Sequence, residues 1–137
     1  MMYLLDTNIL SELVKKQPNS HLIQHLQSNP SQSLFTSCIC VMELRFGSSL
    51  REDFESFWQN IETEIISRVK ILPLGYDEVL IAGDILAYLQ KSGQTIGIED
   101  VLIASTALIH KLVMVTVDTR HFSKIKRLVI ENWMVSD

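Results

Sequence analysis

The sequence has little of what marks several large classes of protein. Its cysteines number two, Cys38 and Cys40, and their spacing puts them on different sides of a helix. Two are too few for a disulfide framework, so a reducing, cytoplasmic setting is expected. Glycine (5) and proline (3) are scarce, which excludes collagen-like and low-complexity chains. No apolar run approaches the ~18 residues of a membrane-spanning helix, and no membrane role is expected. The apolar start is broken at Asp6 and has no positive stretch before it, unlike a signal peptide. Positive charge is not in excess: 12 Lys and Arg stand against 16 Asp and Glu, a net charge of −4. That argues against nucleic acid held over a broad basic surface, though a local basic rim remains open. There is no P-loop, dinucleotide fingerprint or G-x-S-x-G elbow. His21 and His25 are four apart, but Leu22 stands where a metalloprotease needs Glu, so a zinc site is not expected.

What remains is an ordinary globular composition, with 47% hydrophobic residues in 137. That length suits a single domain over 1–137 with a real core. Breaks at Pro18, Asn29-Pro30, Pro73 to Gly75 and Gly93 to Gly97 separate short apolar runs from longer helical patterns. Strands are expected at 3–5, 34–36, 69–72, 113–117 and 128–130. Helices are expected at 7–14, about 20–27, 38–48, 53–68, 76–92 and 99–111. Asn19 or Ser20, and Ser37, are candidate caps, and Gly93 suits a left-handed helix end. The last of these helices is almost wholly apolar, so it should be buried. Short strands alternating with helices predict an α/β fold: a three-layer α/β/α sandwich with a short, mainly parallel sheet of about five strands.

Most acids suit solvated helix faces, Asp77, Glu78 and Asp84 among them. Four do not. Asp6 and Asp118 each follow a strand, at the edge where open parallel sheets bind ligands, though either could simply cap the next helix. Glu43 has Ile39, Cys40, Phe46 and Gly47 as its helical neighbours, and Arg45 points elsewhere. Asp100 stands in the first turn of the apolar helix, where the dipole favours an anion, with Ile103 and Ala104 one turn on. If the four converge, they cannot all stay ionised without a cation. Hard oxygen donors select Mg²⁺ or Mn²⁺ rather than zinc. Such an ion acidifies water and offsets charge on a departing phosphate oxygen, so the pocket would handle phosphate esters.

Four segments, in order, carry a family resemblance: Leu4-Leu5-Asp6-Thr7-Asn8-Ile9-Leu10, Met42-Glu43-Leu44-Arg45-Phe46-Gly47, Ile96 to Ala104, and Val115-Thr116-Val117-Asp118-Thr119-Arg120-His121-Phe122. The closing Val129 to Trp133 matches as well. The chain resembles a PIN-domain ribonuclease, more narrowly a VapC-type toxin of a toxin–antitoxin pair. The resemblance implies a PIN-like fold and a metal-dependent endoribonuclease. Asp6, Glu43, Asp100 and Asp118 would form its acidic quartet, with Asp6 and Asp100 first as metal ligands. Thr7, Asn8 and Thr116 would orient the carboxylates by hydrogen bonds, and Arg45, Arg120 and His121 would touch RNA phosphates. It further implies a homodimer and a cognate antitoxin that silences the enzyme. Two alternatives are a catalytically silent module that binds RNA or a partner through the same pocket, and a small-molecule phosphohydrolase with Asp6 as nucleophile. The second lacks the usual general-acid Asp two residues on, where Asn8 stands.

Overall fold

Three helix starts are set by side chains that accept the backbone N–H groups a helix leaves unpaired. In the computed structural model, which describes residues 1–136, Asp6 accepts from Thr7 N at the head of α1 (Thr7–Glu12). Asn19 accepts from Leu22 N at the head of α2 (Ser20–Ser28), and Ser37 from Ile39 N at the head of α3 (Cys38–Ser49). The last residue of the expected 1–137 domain, Asp137, lies outside the described residues.

The remaining helices are α4 (Phe54–Glu64), α5 (Tyr76–Lys91), α6 (Ile98–Ile109) and α7 (Thr119–Phe122). The strands are β1 (Tyr3–Leu5), β2 (Leu34–Ser37), β3 (Lys70–Leu72), β4 (Val113–Val115) and β5 (Ile130–Glu131). They form one sheet in the order β3-β2-β1-β4-β5, and every pairing is parallel. The register sets Tyr3 opposite Leu34 on one side and Leu5 opposite Val115 on the other. Parallel strands need crossovers, and the helices that supply them flank the sheet, giving the expected α/β/α sandwich. β1 is central, which is why Leu4 and Leu5 are wholly buried.

α6 is buried as its composition predicts: Val101, Ile103, Ala104 and Ala107 have no exposed surface. Its two buried hydroxyls donate one turn back along the helix, Ser105 to Val101 O at 2.7 Å and Thr106 to Leu102 O at 3.0 Å.

Several boundaries differ from the sequence expectation. The helix expected over 53–68 ends at Glu64, and Ile66–Arg68 forms a tighter 3₁₀ turn that leads into β3. β4 stops at Val115 instead of 117; Thr116 N still donates to Glu131 O at 3.0 Å, and its hydroxyl meets Asp6 and Asp118 N. β5 lies at 130–131 instead of 128–130, after a turn in which Arg127 takes φ 69°. Glu78 is buried, not solvated: it accepts from Gly75 N at 2.8 Å, capping α5, and lies 3.3 Å from His110 Nε2. Gly93 takes φ 69°, the left-handed end expected after α5.

Leu4→Ala removes a fully buried side chain from the central strand. Urea unfolding should show a loss of about 2–5 kcal/mol, with an unchanged denaturant slope.

Candidate active site

A parallel sheet puts all its carboxyl ends on one edge, and the sequence loads that edge with acids. Asp6 follows β1 directly, Asp118 lies just past β4, and Glu43 rides on α3, which leaves β2 without a loop. Residues 110–112 alone separate α6 from β4, so α6 ends beside the amino end of β4 and runs back along it. Its first turn, with Asp100, therefore stands near the carboxyl edge.

Asp6 is the buried member, 4% exposed, and it is cap and pocket wall at once. Its backbone N–H donates to Val115 O at 2.9 Å, tying the turn to β4. Its carboxylate accepts from Thr7 N through Oδ1 and from the Thr116 hydroxyl through Oδ2, both at 2.8 Å. Burial pushes its pKa from 3.8 up to about 6; those two hydrogen bonds pull it down, and the negative charges of Asp100 and Glu43 push it further up. The last two effects place the charges of Asp100 and Glu43 near enough to Asp6 to act on it.

Each remaining acid has one named partner. Thr7 Oγ1 donates to Glu43 Oε1 at 2.6 Å. Asn8 Nδ2 donates to Asp118 Oδ2 at 3.2 Å, and Asp118 N donates to the Thr116 hydroxyl at 3.0 Å. His121 Nε2 lies 2.9 Å from Asp100 Oδ2, each side chain about one-third exposed. Thr116 thus links Asp6 to Asp118, and Thr7 links α1 to Glu43. Thr7, Asn8 and Thr116, singled out in the sequence, are the three side chains that donate to Glu43, Asp118 and Asp6.

The expected phosphate contacts divide. Arg120 is exposed beside Asp118, on α7. His121, expected to meet phosphate, instead meets Asp100. Arg45 is exposed, but its guanidinium lies over Phe54 (4.5 Å) and Trp58 (4.9 Å), joining α3 to α4. Among the described residues it makes no ion pair with Glu43. The His121–Asp100 pairing left no signal in the sequence, because the two are 21 positions apart on elements that only the fold brings together.

The donor set suits a hard cation, since every candidate ligand is oxygen. Among the described residues no three His, Cys, Asp or Glu groups close around a common point. Asn8 Oδ1 is buried with no hydrogen-bond partner, an acceptor left for a donor such as an ordered water. Two other chemistries fall away. The buried Cys40 thiol is pushed up to about 12, chiefly by burial, so it is no nucleophile. His25 stacks on Trp133 at 4.8 Å and serves packing. A cavity of about 970 Å³ lies over the beginnings of β2 and β3 and includes none of the four acids.

The raised Asp6 pKa has a stability consequence. The folded state holds that proton more tightly than the unfolded chain, so its contribution is fully present below pH 4 and is lost as pH rises through about 6. In chelator at pH 8, Asp6→Asn should therefore stabilise the fold by up to about 3 kcal/mol. In urea titrations the gain should shrink as pH falls from 6 towards 4.

Residues 3–128 match the PIN domain family. A VapC ribonuclease, Y4jK of Sinorhizobium fredii, is 31% identical, over 96% of this chain and 98% of its own. Toxin FitB of Neisseria gonorrhoeae is 32% identical, over 96% and 99%. Among solved structures, VapBC2 of Rickettsia felis, bound to a DNA fragment from their promoter, superposes with a TM-score of 0.88 at 29% identity, over 97% and 99%. With the acids standing where the parallel sheet gathers them, and the match running nearly end to end, the chain belongs to the PIN-domain family, in its VapC-type branch.

Proposed function

We propose that this chain is an endoribonuclease dependent on Mg²⁺ or Mn²⁺, the toxin of a toxin–antitoxin pair, built as a single domain over 1–137. The observation that carries it is the Asp6 carboxylate buried at the carboxyl edge and bonded to Thr7 N and the Thr116 hydroxyl, with the Thr7 side chain also bonded to Glu43 and the Thr116 side chain to Asp118 N. A divalent cation set among these acids would offset the repulsion between them. At such a site the cation supplies Lewis acidity, acidifying water and offsetting charge on the departing oxygen.

The side chains here do the positioning. Asp6 and Asp100 are the proposed direct ligands, Asp6 aimed by Thr7 N and Thr116, Asp100 by His121. Glu43 and Asp118 complete the negative pocket, held by Thr7 and Asn8. Fixed hydrogen bonds to a carboxylate keep it oriented and ionised, which tightens its grip on a cation. Names of relatives support the rest of the reading: one is called a ribonuclease, another a toxin, and the VapBC2 structure fits an antitoxin partner for this chain too. A homodimer and a cytoplasmic setting complete it, and no helix among the described residues is long and apolar enough to cross a membrane.

Cleavage of labelled RNA tests the proposal. The unsubstituted chain should cut in Mg²⁺ or Mn²⁺ and stop in EDTA. Asp6→Asn and Asp100→Asn should keep a folded circular-dichroism spectrum and lose at least about a hundredfold in rate. Wild-type cleavage by either variant, or undiminished cleavage in EDTA, would overturn it. Absence of Mn²⁺ binding by calorimetry would instead support a silent binding module. Thr116→Val removes the hydroxyl shared by Asp6 and Asp118 N, and should lower activity or metal affinity by about 10–100-fold.

A further inference from the structure

Between Asp118 and Glu131 the chain carries Arg120, Lys124, Lys126 and Arg127 and no acid, in a molecule of net charge −4. The buried Phe122 and Ile125 pin this run to the core, so its basic side chains stand on an ordered surface. Arg120, Lys126 and Arg127 are exposed and Lys124 is half-buried. Among the described residues none of the four has a carboxylate within ion-pair distance.

The path of the run matters as much as its charge. It starts at the acids, where Phe122 N donates to Asp118 O and His121 meets Asp100. It ends where Met114 N donates to Val129 O at 2.8 Å, so it travels back from the carboxyl edge along the β5 side of the sheet. Part-way along, Lys126 Nζ lies 4.4 Å from the ring centroid of Tyr88, an exposed aromatic on α5. Arg127 sits at φ 69°, where glycine or asparagine is favoured, so a long cationic side chain is held at a position that resists one.

We propose that residues 120–127, together with Tyr88, form a track for the backbone of single-stranded RNA and deliver a phosphodiester to the acidic pocket. The inference rests on the ribonuclease reading and names how its substrate is held. An acidic pocket on a net-negative protein repels a polyanion, and four cations without counter-charges, leading from that pocket, offset the repulsion. An exposed aromatic beside a cationic path is what single-strand binding surfaces combine, because every base offers a face to stack. That pairing favours RNA over an acidic polypeptide, which has no bases to stack.

The test is fluorescence anisotropy of a labelled mixed-sequence single-stranded RNA with the full chain in EDTA, across a salt series. The triple variant K124Q/K126Q/R127G should bind on the order of ten- to a hundredfold more weakly near 0.1 M salt, with a salt slope smaller by about 2. R127G alone should weaken RNA binding while its urea midpoint stays level or rises, since glycine suits that backbone; a purely structural role for Arg127 would not separate the two readouts. Unchanged affinity and slope in the triple variant, with RNA still cut, would overturn the track alone. So would loss of binding to polyglutamate with RNA binding intact, which would reassign the surface to an acidic protein. If the unsubstituted chain neither binds nor cuts RNA, the track and the ribonuclease reading fall together.

Discussion

Burying the Asp6 carboxylate at the end of the central strand is the constraint that the rest of the structure answers. β1 is paired on both sides, and the residue that follows it is left only 4% exposed. A charge there is unfavourable unless it is hydrogen-bonded or neutralised. Thr7 N and Thr116 supply the hydrogen bonds, but burial and two neighbouring acids outweigh them, and the carboxyl is held at about 6. The fold thus keeps a group that folding alone would exchange for something apolar. The apolar packing of β1, β4 and α6 offsets that penalty.

The linking side chains show how little tolerance the site has. Thr7 serves as the first residue of α1, a donor to Asp6 through its backbone and a donor to Glu43 through its hydroxyl. Thr116 joins the acid after β1 to the turn after β4. The contacts of the Thr7 and Thr116 hydroxyls with Glu43 and Asp6 cross between elements packed on the sheet, so these carboxylates are aimed by the core. Asp118 and Asp100 are more open, which places the deep wall of the pocket at Asp6 and its mouth towards α7.

Charge on this chain is sorted as well as balanced. The acids gather at the carboxyl edge, and a basic run leaves that edge along β5. Net charge alone pointed away from nucleic acid, yet the sum hides the sorting. The same holds for the cavities: one of about 970 Å³ lies over the beginnings of β2 and β3, away from the four acids.

Local chemistry is what the sequence settled unaided. The parallel α/β class follows from apolar triplets alternating with helical spacing, and the starts of α2 and α3 follow from Asn19 and Ser37. Asp6 and Asp118 stood out because each follows an apolar strand, and Glu43 and Asp100 because their helical neighbours are apolar. Contacts between distant positions were decided by the tertiary structure: the burial of Glu78 under His110, the turn of His121 to Asp100, and Arg45 packed on Phe54 and Trp58. The early end of β4 belongs with them, since Thr116 meets Asp6 from the far end of the chain. Periodicity and caps act within a few residues, and so a sequence displays them; the partner of a polar side chain is whichever group packing brings within 3 Å, and no local pattern encodes that.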